Sequence, residues 1–139
     1  MKLEDYFYVP FKAGGRGPDA YDCWGWGRSI RHEIYGKRLL PAHPGVDIDD
    51  RVAMTDVYRQ LEVDDRYTVS ENIQDAIPGT VVGVLVAGYC THVGVVVEHE
   101  AQLYYADISR SGVRRMPLQE IEKLFRSKVY TLVYLNDND

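Results

Sequence analysis

The sequence predicts an α+β domain, with N-terminal helices packed on a C-terminal antiparallel sheet of about five to six strands. Apolar residues recur at helical spacing over residues 23–35 and again after Asp50. After "IPG" at 77–79 the chain changes to short Val- and Tyr-rich runs separated by Gly or polar turns. Helices first and strands later is the α+β pattern. With 139 residues, 45% hydrophobic and 12% aromatic, the chain can bury one substantial core, so residues 1–139 are read as a single domain.

The stretch "FKAGGRGPDAYD", residues 11–22, concentrates Gly and Pro and reads as a loop whose backbone can pass close to other groups. Asp22 then offers an N-cap to a first helix carrying Cys23, Trp26 or Gly27, Ile30 and Ile34 on one face, with Gly36 as its stop. "LLPAHPGVDIDD" is a Pro-rich loop. From Asp49 or Asp50, "RVAMTDVYRQLE" gives an acid-capped second helix with Val52, Met54, Val57, Tyr58 and Leu61, expected to cover a sheet. The strands are "TVVGVLVAG", "THVGVVVE", "AQLYYADIS", "GVRRMPL" and "KVYTLVYL", interrupted by a short helix around "LQEIEKLF". The polar tail "NDND" is expected to fray.

A formal net charge of −5 and a pI near 5.3 supply no basic footprint for nucleic acid. No apolar run is long enough to insert in a membrane, and the acidic start "MKLEDYFYVPF" does not read as a secretory leader. Cys23 and Cys90 form no CxxC pair, which argues against a disulfide scaffold and a structural zinc cage and fits a reducing compartment. No metal or other cofactor is expected.

Single-thiol chemistry remains. A helix N-terminus stabilises a thiolate through unpaired N–H groups and partial positive charge, and Cys23 is placed for that effect. A base is also needed. His32 lies nine residues further along the same helix, which turns it to the opposite face. His43 in "PAHPG" and His99 in "EHEA" read as solvated loop and turn residues. His92 lies in the apolar strand "CTHVGVVV", where alternation gives Cys90, His92, Gly94 and Val96 one face. A glycine two residues on leaves room for a neighbour, so His92 could meet Cys23 across the helix–sheet contact.

"PFKAGGRGPDAYDCWGW" resembles the "PY-x-x-GG … DC-x-G-hydrophobic" signature of the NlpC/P60 cysteine peptidases; "IPG" and "THVGVVV" resemble their "PGD" and "HVGIYL" segments, in the same order and spacing. "DCWG", "YGKRLLP" and "SGVRRMPL" are more similar to the phage-tail subgroup than to secreted wall hydrolases. The resemblance implies a papain-like fold, Cys23 as nucleophile and His92 as proton shuttle, with the peptidoglycan stem peptide as substrate and phage-tail proteins as partners. It implies a chain made in the host cytoplasm and carried in the virion tail, with no partner among nucleic acids or membranes. The family's third residue is His, Asn or Gln on the strand here written "LYYADIS", which holds none of them; Asp107 is the choice and Tyr105, on the same strand face, the rival. Phe11 replaces the family's tyrosine, Tyr8 or Tyr21 is a substitute source of its hydroxyl, and Trp24 or Trp26 is a candidate groove wall; Phe11, Tyr21 and Trp24 are the expected substrate contacts. Thr80 replaces the Asp of "PGD", a change expected to alter one structural hydrogen bond.

Overall fold

A computed structural model describes residues 1–126 and 130–138. One helical turn, α1 (Leu3–Tyr6), precedes α2 (Cys23–Glu33) and α3 (Arg51–Glu62). The strands follow: β1 (Tyr67–Ser70), β2 (Val81–Val86), β3 (Tyr89–His99), β4 (Gln102–Ser109) and β5 (Gly112–Pro117), then α4 (Leu118–Arg126) and β6 (Thr131–Asp137). They form one six-stranded sheet in the order β1-β6-β2-β3-β4-β5, antiparallel throughout. The α+β expectation holds. Residues 128 and 129 of the predicted strand "KVYTLVYL" lie outside the described residues.

Helix starts follow their caps. Asp22 Oδ1 accepts from the Gly25 N–H at 2.8 Å, and Asp50 Oδ1 accepts from the Ala53 N–H at 3.0 Å. α2 and α3 cover one face of the sheet, burying Trp24, Met54, Val57 and Leu61 with Val81, Val93 and Val133, and Trp26 and Ile30 with Val95 and Val97. α4 covers the other face, where Leu118 and Ile121 meet Val82, Val84, Val96 and Tyr134.

Two segments differ from expectation. The single turn α1 and the short strand β1 carry too few residues to show a period. The tail does not fray: Asn136 and Asp137 belong to β6, and the Asn138 N–H donates to Arg66 O at 2.7 Å. The cause is β1, whose Tyr67 and Thr68 pair with Asp137 and Asn136. Asp137 also binds the buried Arg31 of α2. Asp139 lies outside the described residues.

The glycine-rich loop closes tightly on α2. A methyl group at Gly25 would sit 2.4 Å from Gly15 O and 2.8 Å from Arg16 Cα, both backbone atoms that cannot swing away. Two residues on, a methyl at Gly27 would meet only Val95 Cβ, at 4.0 Å. Two Gly→Ala substitutions in one helix therefore have opposite signs. Gly25→Ala costs about 2 kcal/mol or more through backbone displacement, whereas Gly27→Ala gains up to about 1 kcal/mol of helix propensity. Chemical denaturation of the two variants checks this, and equal effects would contradict the close approach.

Candidate active site

The loop 11–22 and the start of α2 build one half of the site. Asp22 is fully buried, caps α2 with one oxygen and pairs with Arg16 through the other. Arg16 also donates from Nε to Ala42 O at 2.6 Å, tying the loop between α2 and α3 to this junction. Cys23 follows in the first turn of α2 and is 2% exposed. Burial pushes its thiol up to about 12, and the neighbouring Asp22 charge adds to the effect. The Val93 N–H donates toward the sulfur and acts the other way.

The other half is built by β3 and β4. The register of β3 against β2 shifts between Val84 and Leu85, which face His92 and Cys90 respectively and leave Thr91 as the extra residue. The bulge breaks the alternation expected from the sequence. Cys90 faces α3 beside Val93, while His92, Gly94 and Val96 turn to the opposite face, as their partners Val84, Val82 and Tyr105 do. His92 therefore does not lie across a helix–sheet contact from α2, which corrects the expected shared face. The two halves meet at a gap instead. Pairing of β3 with β4 ends at Val95–Ala106, whereas β3 continues along β2 and β4 continues along β5. At this gap the Val93 amide reaches Cys23, and the charge of Asp107 is among those felt by the thiol.

Asp107 has no exposed surface. Its Oδ2 lies 2.7 Å from His92 Nε2; the carboxylate approaches off the N–H axis, a close electrostatic contact rather than a linear hydrogen bond. The Tyr105 hydroxyl donates to Oδ2 at 2.6 Å, and Arg114 grips both oxygens, Nε to Oδ1 and Nη2 to Oδ2, each at 2.9 Å. Burial works to raise the Asp107 carboxyl, but the contacts from His92, Arg114 and Tyr105 prevail and hold it down at about 2. Asp107 and Tyr105, alternatives in the sequence, belong to one network. The room at Gly94 is filled by Tyr105: a methyl there would stand 2.4 Å from the ring.

The three expected substrate contacts are placed differently. Tyr21 and Trp24 are buried, at 2% and 3% exposure, with the Tyr21 ring 5.9 Å from that of Tyr6 and the Trp24 indole N–H bonded to Pro41 O. Neither offers a ligand an open wall, because the loop between α2 and α3 folds over Trp24. Phe11 is half-buried with the Arg110 guanidinium 5.2 Å above its ring. His43 and His99 are not simply solvated: His43 packs edge-on against Trp24, and His99 packs against Phe7. Thr80 accepts from the Ile77 N–H and donates to Asn136, closing the turn that leads into β2. Sequence reasoning assigned no role to Arg114, although its position is implicit in the two-residue turn Arg110–Ser111. That turn pairs Ser109 with Gly112 and hence Asp107 with Arg114.

A cysteine opening a helix, packed on an antiparallel sheet that carries a histidine and its acid, defines a papain-like α+β domain. Its fold is similar to the crystal structure of the NlpC/p60 domain of peptidoglycan hydrolase SagA, with a TM-score of 0.55 and 16% identity over 94% of this chain and 90% of that one. No protein-family model and no curated protein matches the chain.

The depressed carboxyl of Asp107 links the network to pH. A group whose folded value lies below its ordinary 3.8 contributes stability that is fully present above that value and lost as pH falls toward about 2. Asp107→Asn therefore destabilises the chain at pH 7, and its deficit against the unsubstituted chain shrinks over that acid window. Denaturant unfolding at stepped pH values measures it; a deficit that does not depend on pH would remove the charge from the explanation.

Proposed function

We propose that the protein is a peptidoglycan stem-peptide endopeptidase of the cysteine class, acting as part of a phage or phage-derived tail tip. The observation that carries the reading is the fully buried Asp107 carboxylate against His92 Nε2, at the gap where the Val93 amide reaches Cys23. With Nε2 facing the acid, Nδ1 is the nitrogen left to serve the thiol. Cys23 Sγ adds to the peptide carbonyl while its proton passes to Nδ1 of His92, and N–H groups at the start of α2, that of Cys23 included, hold the oxyanion. The imidazolium then protonates the departing amine, and a water activated by His92 hydrolyses the thioester and restores the thiol. The fold likeness to a domain of a peptidoglycan hydrolase supports the wall as target. The segments "DCWG", "YGKRLLP" and "SGVRRMPL" support the tail assignment, in which partner tail proteins deliver a chain made in the host cytoplasm.

A second reading is favoured by one observation. Burial pushes the Cys23 thiol up to about 12, as expected of a resting form whose activity is held back until assembly, or of a structural tail protein that keeps the fold. Purified stem-peptide fragments, followed by mass spectrometry, separate the readings. The endopeptidase cleaves an amide of the stem, and Cys23→Ala or His92→Ala lowers the rate about a thousandfold or more. A form held back cleaves only within the tail assembly and takes up iodoacetamide at Cys23 slowly at neutral pH. Absence of Cys23-dependent cleavage in both settings would overturn the enzymatic reading.

A further inference from the structure

We infer that Arg114 is a positioning residue for His92: by clamping Asp107 and balancing its charge, it fixes the ring and keeps it free to accept a proton. The inference deepens the endopeptidase reading and rests on it. The geometry is specific. Asp107 and Arg114 are directly opposed in the β4–β5 register, and Arg114 uses the two-pronged grip that suits a carboxylate. Oδ1 receives only Arg114 in this network, while Oδ2 is shared by Arg114, Tyr105 and His92. Arg114 and Tyr105 thus set the plane and rotation of the carboxylate, and His92 meets an acceptor that cannot turn.

The charge balance follows. An isolated buried carboxylate beside an imidazole favours the doubly protonated ring. A ring that carries both protons has no lone pair for a thiol proton. With Arg114 in place, Asp107 and Arg114 together are neutral, and a second proton on His92 would leave the cluster with net positive charge. Among the described residues, the titratable and charged groups gathered at the ring's acid are Tyr105 from β4, Arg114 from β5 and His92 itself; the Cys23 thiol at the start of α2, with Asp22 beside it, feels the charge of Asp107, and Cys90 of β3 faces the other side of the sheet. Arg114 is the cation of this set that binds Asp107. Its side chain is 60% exposed, so it can be replaced without opening a cavity.

Nitrogen-15 NMR of the His92 ring tests this without requiring activity. In Arg114→Met, which keeps an apolar stem, the pH at which the ring takes up its second proton rises by about one unit relative to the unsubstituted chain. The Nε2–H tautomer signal also broadens or loses population. Arg114→Lys keeps the charge without the fork, so it preserves the titration but not the tautomer signal. An unchanged titration and tautomer in Arg114→Met overturns the inference. Should that variant fail to fold, Arg114→Lys decides: a tautomer signal identical to that of the unsubstituted chain overturns the inference, and a weakened one upholds it. Stem-peptide cleavage is measured alongside, and its acid limb moves up by the same unit in Arg114→Met. Ring titrations that move in a chain with no Cys23-dependent cleavage, alone or within the tail assembly, sink the endopeptidase reading and leave the Arg114–His92 coupling standing. Cleavage with unmoved titrations does the reverse.

Discussion

The arrangement of the sheet's open end depends on one buried negative charge. Asp107 has no contact with solvent, and an uncompensated carboxylate there would cost several kcal/mol. Its compensation comes from three places: Tyr105 two residues back on the same strand, Arg114 across the β4–β5 hairpin, and His92 from β3. Each partner constrains an element. Arg114 fixes the hairpin register, Tyr105 requires the missing side chain at Gly94, and His92 shares the face of Gly94 beside the bulge that turns Cys90 to the other side. A single acid thereby couples three strands where β3 and β4 have stopped pairing.

The opposite wall of the gap obeys a similar rule with a different residue. Asp22 is as buried as Asp107, and it is answered by the Gly25 amide and by Arg16. Arg16 also collects carbonyls at Ala42, His43 and Val46, so the backbone of the loop between α2 and α3 is tied to the helix start, where Leu40 and His43 add side-chain packing with Trp24. The close approach of Gly15 to Gly25 is what lets the glycine-rich loop 11–22 lie against the first turn of α2. Two buried acids, each paired with an arginine, frame Cys23, whose thiol meets the Val93 amide where β3 and β4 part.

Much of this was legible in the sequence. The caps at Asp22 and Asp50, the helix periods and the Val-rich runs are local signals, and α2, α3, α4 and the strands from β2 to β5 follow from them. What escaped was non-local or too short. β1 is four residues long and finds its partner β6 at the far end of the chain, so neither it nor the ordered tail leaves a periodic trace. Cys90 was given the face of His92 because alternation was carried through Thr91, and a bulge is invisible to a period of two. Tyr21 was read as a substitute hydroxyl and Trp24 as a groove wall; their burial depends on Tyr6 and Pro41, which come from other segments. Arg114 was within reach, since a two-residue turn at Arg110–Ser111 fixes which residue faces Asp107. The departure from His, Asn or Gln on that strand thus comes with a cation on the next.

The chemistry proposed for Cys23 turns on the order in which charges form. A thiol buried among apolar residues and beside Asp22 holds its proton, so a standing thiolate–imidazolium pair is disfavoured in the resting protein. Attack must then be concerted with proton transfer, and the rate depends on a ring whose lone pair is available when the carbonyl arrives. A free carboxylate behind that ring would work against this by holding it protonated. A carboxylate already balanced by Arg114 aims the ring without charging it, while the Val93 amide and the first turn of α2 stabilise the sulfur as its proton leaves. A thiol that keeps its proton, chiefly because it is buried, and a ring aimed by an acid that Arg114 already balances are thereby mutually consistent.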